Sequence, residues 1–363
     1  MASSNFHEKP FDEGTLTKLE IFQLYTREWL PVFLAREESW VRSVHLYDFF
    51  CGPGTDDNGT LGSPLRTLEV LREYSCNPNL KAWGKVPIRV HFSDSHLSKA
   101  KTLKTRIQSK DWQFSGVEID VQRLRFDRAF SAASNILQAR DAAKLLLIDQ
   151  FGVSHVTPDV FQRLVGSPCT DFLFFISSTT LHRFRDHPAI KQKIKRGADF
   201  QQVHYAVLEY YREMLPHGKR YYLAPFSIKK GSNIYGIIFG SEHPRGMDKF
   251  LNVAWGKDGL NGTANFDINR DSITAEDLLL DLGACMRPQK LNVFEEDLED
   301  RLRAKELKDE SEVMDVCFLH GVQRHHAKPV LKRLKKEGLI SIDFQHPSVE
   351  RFKDPRPIRY KEL

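Results

Sequence analysis

The chain has 363 residues, of which 41% are hydrophobic and 28% charged, with a formal net charge of +5. That length can bury one full core and a second, smaller one, while no apolar run approaches the ~18 residues that a membrane span needs. Five scattered cysteines (Cys51, Cys76, Cys169, Cys285, Cys317) form no Cys-x-x-Cys pair, which fits reduced thiols and argues against a zinc or iron–sulfur site. The opening MASSNFHEKPFDEG lacks the apolar centre of a signal peptide, so the protein is expected in the cytoplasm. The modest positive charge hints at an acidic partner and no more.

Residues 15–36 read as an amphipathic helix with Leu19, Phe22, Leu30 and Phe33 on its apolar side and Thr15 or Thr17 as caps. A β-forming run, Val44–Phe50, then passes directly into a loop carrying Gly52, Pro53, Gly54, Gly59 and Gly62. Strand followed by glycines is how an open α/β sheet begins a nucleotide site at the carboxyl end of its first strand. Glycine serves there because the backbone must turn at positive φ and let a ligand approach. Asp48 stands four residues before Gly52. The spacing Asp-x-x-x-Gly-x-Gly is neither Gly-x-Gly-x-x-Gly nor a Walker phosphate loop, and the bland alternative is an ordinary surface loop.

Ser63-Pro64 opens a helix with proline in its first turn. Ile88–Asp94 alternates as a second strand and ends in an acid, which suits either a ribose acceptor or a helix cap. Val117–Arg125 reads as a third strand ending near Asp127, an acid that lies at a base-binding edge or in a solvated loop. A helix to about Arg140 follows, and then Lys144–Ile148, an apolar run expected for a central parallel strand, ending in Asp149-Gln150-Phe151-Gly152. Thr157 and Pro158 start another helix, Asp171–Ser177 is a fifth strand, and 178–215 is helical and polar, with His182, Arg183, Arg185 and His187. Tyr221–Ile228 and Ile234–Phe239 read as a closing hairpin. The expectation is an α/β, doubly wound, mostly parallel seven-stranded sheet over residues 1–290.

Composition changes after Pro288. Residues 292–310 are nearly all polar with alternating charge sign, a solvated linker helix assigned to 291–310. Residues 311–363 outline a winged helix-turn-helix: a helix over Ser311–His320, one or two more to Gly338, and strands at Ile340–Phe344 and Ile358–Tyr360. Between His320 and Lys336 lie Arg324, Lys328, Lys332, Arg333, Lys335 and Lys336 and no acid. This charge suits phosphate contact with DNA or RNA; a solvated basic face or a protein-contacting winged helix are the alternatives. His325 and His326 read as surface or nucleic-acid-facing groups without metal-ligand companions.

DFFCGPG, the spaced glycine, GSPL and LIDQFG together resemble the three-Cys-motif partner proteins, a family similar to class I S-adenosylmethionine-dependent methyltransferases. The resemblance covers most of residues 15–290, with a winged-helix tail of a kind seen in that group. The family's name refers to a separate radical enzyme that owns the three cysteines. The resemblance implies that Asp48, Gly52 and Gly54 hold the amino-acid end of S-adenosylmethionine. It also implies that Asp94 takes the ribose, that Asp127 lies near adenine, and that Asp149 and Phe151 belong to the catalytic motif. It implies transfer to a nitrogen of a nucleic-acid base, with Phe151 stacking on the target. Relatives often carry Asp-Pro-Tyr-Gly where this chain has Asp149-Gln150-Phe151-Gly152, so a non-catalytic module serving a radical-enzyme partner is the alternative. DFFCGPG is also similar to the first motif of cytosine C5-methyltransferases, and Pro168-Cys169 to their nucleophile motif. However, Cys169 falls just before the fifth strand, at the wrong edge of the sheet for a nucleophile beside the cofactor. Cys51 reads as buried packing.

Overall fold

The computed structural model describes residues 10–108, 112, 114–149, 155–176, 203–230, 233–266, 268 and 289–361. The chain divides into two compact units between His243 and Pro244. Among the described residues no helix is long and apolar enough to cross a membrane.

The first unit is built on strands β1 (Ser43–Asp48), β2 (Ile88–Asp94), β3 (Val117–Arg123), β4 (Ala142–Ile148), β5 (Thr170–Ile176), β6 (Tyr222–Lys230) and β7 (Asn233–Ser241). They form one sheet in the order β3-β2-β1-β4-β5-β7-β6. The first five are mutually parallel, and β7 inserts antiparallel between β5 and β6. After β1 the chain winds outward through β2 and β3, then returns to lay β4 on the other side of β1. A ligand crevice opens at such a reversal, beyond the carboxyl ends of the strands.

Burial follows from this order. Every residue of β4 is buried, as a central parallel strand covered on both faces requires. Lys144 obeys by donating its ammonium to the carbonyls of Ala139 (2.6 Å) and Leu137 (3.3 Å). It thereby satisfies backbone acceptors at the end of helix α5 (Ser134–Gln138). Helix α1 (Glu13–Leu34) is capped by Asp12, whose carboxylate accepts from Thr15 N–H at 3.0 Å, so Thr15 and Thr17 are not the cap. Its buried face includes Phe22, Tyr25, Trp29 and Leu30, and Tyr25 donates to the buried Asp171 on β5 at 2.6 Å. Helix α2 (Ser63–Ser75) begins at the proline signal and α3 (Leu97–Ile107) follows β2. The third strand stops at Arg123, because the chain turns into α4 (Phe126–Ala132) and then α5, two short helices rather than one. Helices α6 (Pro158–Gly166) and α7 (Val203–Glu213) precede β5 and β6. The hairpin strands are longer than expected.

The second unit contains α8 (Pro244–Lys257), α9 (Gln289–Arg303), α10 (Glu310–Leu319), a 3-10 turn (Arg324–Ala327) and α11 (Lys328–Lys336). It ends with β8 (Ile340–Ser341) paired antiparallel to β9 (Arg359–Tyr360), strands shorter than the pattern suggests. The chain divides well before residue 290 because α8 binds within this unit: Trp255 Nε1 donates to Gly321 O at 3.1 Å, and Asp248 accepts from Arg324. Helix α9 carries the charge run but buries Phe294, Leu298 and Leu302, spaced four apart on one face. Glu310, at the start of α10, holds Arg356 through two bonds of 2.8 and 2.7 Å.

A histidine pair on the first unit's sheet, His45 buried and His91 half-buried, has a consequence for stability. His45 lies with Nδ1 3.1 Å from His91 Nε2 and Nε2 3.0 Å from Ser43 Oγ. Burial, reinforced by His91, Arg89 and Lys144 and partly offset by Glu118, pushes its pKa down to about 4. The unfolded chain therefore takes up the proton first as pH falls. The contribution of neutral His45 is complete above about 6.5 and is lost toward about 4. Relative to His45→Gln, the wild-type denaturant midpoint is expected to fall as pH drops across that window. An offset between the two proteins that stays constant with pH would contradict this assignment.

Candidate functional site

Three adjacent strands end in acids at the reversal of the sheet. Asp48 closes β1, Asp94 closes β2 and Asp149 follows β4. Asp48 is buried, with one oxygen accepting from Ser63 Oγ at 2.6 Å and the other from Phe50 N–H at 3.1 Å. Burial pushes its pKa up to about 7; the two hydrogen bonds oppose that rise, and Asp149 and Asp94 add to it. Asp94 accepts from Gly52 N–H at 3.1 Å and from His96 N–H at 2.8 Å. His96, not Asp94, is the N-cap of α3, so the acid holds the glycine turn rather than the helix.

The turn itself is tightly specified. Gly52 and Gly54 have φ of 63° and 97°, a backbone region that favours glycine. Gly62 N–H donates to Gly54 O at 2.7 Å, closing the loop on itself. Asp56 accepts from Asn58 and Thr60 N–H, and from Phe11 N–H at 2.8 Å, drawing the segment before α1 onto the loop. Arg106 donates to Pro53 O at 2.5 Å.

The cleft above this turn is lined by Phe50, Gly54, Ser63 and Asp149 on the sheet side, and by Phe11, Thr15 and Lys18 on the other. Lys18 Nζ lies 2.5 Å from Asp149 Oδ2, with the two side chains 6% and 17% exposed, and 4.6 Å from the centre of the Phe175 ring. Cys51 is buried beside the turn, its thiol pushed up by burial and by Asp48 and Asp94, which suits packing rather than nucleophilic attack.

The structure thus brings Asp48, Gly52, Gly54, Asp94 and Asp149 together. Asp127 is not among them: it sits in the first turn of α4 with its side chain 61% exposed, beside Arg125 and Arg128. The side chain that turns inward is its neighbour Phe126, packed with Phe50 (5.6 Å) and His155 (5.5 Å). Gln150, Phe151, Gly152 and the residues His182, Arg183, Arg185 and His187 lie outside the described residues. Cys169 precedes β5 at the opposite edge, its Sγ 3.3 Å from Arg140 O. No sequence motif marks Lys18; its only signal is a charge beside Leu19 in the apolar stripe of α1.

In the second unit the six basic residues divide. Arg324 is tied to Asp248 by bonds of 2.6 and 3.1 Å and to Pro347 O at 2.6 Å, so its charge is spent inside the fold. Arg333 pairs with Glu299, and Lys335 donates to Ile342 O at 2.8 Å. Lys328, Lys332 and Lys336 are exposed. His326 accepts from Gln323 N–H and packs 4.5 Å from Trp255, a structural role, while His325 is exposed.

This sheet order, five parallel strands with β7 inserted antiparallel between β5 and β6, is a doubly wound Rossmann-like α/β arrangement. No protein-family model matches the chain, and no curated protein matches it. Among solved structures it is similar to a candidate rRNA methylase from Clostridium thermocellum (9% identity, 63% of this chain and 97% of that one, TM-score 0.31). It is likewise similar to an rRNA methylase from Streptococcus thermophilus (10%, 60% and 93%, TM-score 0.28). A third is the O-methyltransferase TomG from Streptomyces achromogenes in complex with SAM (12%, 63% and 89%, TM-score 0.31).

The loop geometry yields a stability test. A Cβ on Gly54 would stand 2.9 Å from Leu103 Cδ1 and 3.3 Å from Leu65, whereas one on Gly59, at φ 81°, meets nothing within 4 Å. Gly59→Ala reports the cost of positive φ alone. Gly54→Ala is expected to lose about 1–3 kcal/mol and to exceed Gly59→Ala; equal losses in chemical denaturation would show that the close approach carries no weight.

Proposed function

We propose that the chain is an S-adenosylmethionine-dependent methyltransferase that methylates a nitrogen of a nucleic-acid base. The observation that carries this reading is the convergence of Asp48, Asp94 and Asp149 on a glycine turn at the reversal of the sheet. An acidic, partly buried edge favours a cationic ligand, and the sulfonium cofactor, when bound, supplies an already activated methyl group. Gly52 and Gly54 let the ligand approach the backbone, and Asp48 and Asp94 face its amino-acid and ribose ends. Asp149 accepts a proton from the target amino group, Phe151 stacks on the base, and positioning supplies most of the rate.

The second unit is read as a winged helix that delivers the nucleic acid, with α11 presenting Lys328, Lys332 and Lys336 to phosphate. The absent proline in Asp149-Gln150-Phe151-Gly152 favours one other reading, a non-catalytic binding module for a radical-enzyme partner, as the resemblance to the three-Cys-motif partner family suggests.

Calorimetric titration with S-adenosylmethionine is expected to show binding that Asp94→Ala weakens by about 10-fold or more, and labelled cofactor is expected to mark DNA or RNA. A folded protein that binds no cofactor would remove the reading; cofactor binding with no label on DNA, RNA or protein would select the non-catalytic one. For the second unit, replacing Lys328, Lys332 and Lys336 together by Gln should weaken nucleic-acid binding without regard to sequence. It should also flatten the slope of log affinity against log salt by about 2–3, and an unchanged slope would exclude these lysines as the phosphate contacts.

A further inference from the structure

The ion pair between Lys18 and Asp149 is not needed to fasten α1 to the sheet. That helix is already anchored by Ile21, Phe22, Leu30 and Leu34, all at most 2% exposed, by the Tyr25–Asp171 bond, and by Arg27 on Glu73. A largely buried ion pair contributes little net stability, because removing two charges from water offsets their attraction. Yet Lys18 sits almost fully desolvated at the wall of the cofactor cleft, and among the residues that line the cleft it is the only cation.

The charge around it makes the position informative. Asp48, Asp94 and Asp149 crowd the same edge closely enough for the latter two to raise the pKa of the first. Any anionic group entering beside Gly54 and Ser63 meets the Asp149 carboxylate and the Lys18 ammonium at the cleft wall, with Asp48 and Asp94 buried behind them. A ligand with a carboxylate can settle there only by taking that ammonium as its partner. Resting on the reading of this cleft as a cofactor site, we propose that Lys18 recognises the α-carboxylate of the cofactor's amino-acid end, with Asp149 as its partner when that carboxylate is absent. Binding then exchanges one partner of Lys18 for another and leaves the Asp149 oxygen that Lys18 occupied available as a proton acceptor. The residue that selects for the complete cofactor thereby also readies the acceptor side of the site.

Two ligands separate this role from a structural one. S-Adenosylhomocysteine carries the amino-acid end; 5′-deoxy-5′-methylthioadenosine shares its adenosine and thioether and lacks that end. Titrated calorimetrically, Lys18→Met is expected to weaken S-adenosylhomocysteine by about 10- to 100-fold while changing methylthioadenosine by less than about 2-fold, and Lys18→Arg is expected to recover part of the loss. Equal weakening of both ligands, or of neither, would overturn the assignment while leaving the cofactor site standing. Failure of the wild-type chain to bind either ligand would instead remove the reading on which the assignment rests. Should Lys18→Met not fold, the wild-type chain decides alone: it is expected to prefer S-adenosylhomocysteine over its decarboxylated analogue by about the same 10- to 100-fold, and equal affinities overturn the assignment.

Discussion

The first unit depends on a problem of desolvation. Three neighbouring parallel strands end in carboxylates at one edge, and burying charge without partners is costly. Each acid is answered differently. Asp48 receives a hydroxyl and a backbone N–H and still has its pKa pushed up to about 7. Asp94 receives two backbone N–H groups, one of them from the glycine turn. Asp149 receives an ammonium from a helix that precedes the sheet in sequence. The shape of the loop and the position of Lys18 follow from these solutions, while a fourth acid, Asp56, holds the chain before α1 onto the loop.

How much of this is legible in sequence depends on the range of the interaction. The alternation in β2, the apolar run of β4 and the strand-to-glycine passage after β1 are local patterns, and the strands appear where those patterns put them. Asp48 and Asp94 are legible for the same reason, since a strand end followed by glycine or by a helix fixes the edge on which an acid lies. For Asp127 two readings, a base-binding edge and a solvated acid, are open in the sequence; β3 ends two residues early, at Arg123, so the acid sits exposed in the first turn of α4 and its neighbour Phe126 turns inward. Lys18 is not legible at all. Helical periodicity treats a lysine in an apolar stripe as noise, and its partner lies 131 residues away.

The second unit shows the same limit from another direction. Its basic run reads as one surface, but a guanidinium is as useful for tying elements together as for meeting phosphate. Arg324 reaches back to Asp248 on α8, and Arg333 to Glu299 on α9, so the exposed charges not paired to another helix are lysines. Helix α9 escapes recognition as a packed element because its buried apolar side chains are only three among many charges, one of which, Glu295, is itself buried. Their four-residue spacing is the only trace of the burial.

Net charge conceals the division of labour. The sum of +5 combines an acidic edge around the glycine turn with an exposed lysine set on α11, and neither is visible in the total. On the function proposed above, a cationic methyl donor and a polyanionic substrate need opposite potentials, which one small surface cannot supply. Carboxylates at strand ends, where the sheet reversal shields them from water, and lysines on a separate unit would meet both needs in one chain. It also gives Lys18 its particular value. A cation among carboxylates is the one feature that lets an acidic edge accept an anionic group without losing its preference for a positive ligand, and an α-amino acid joined to a sulfonium presents both.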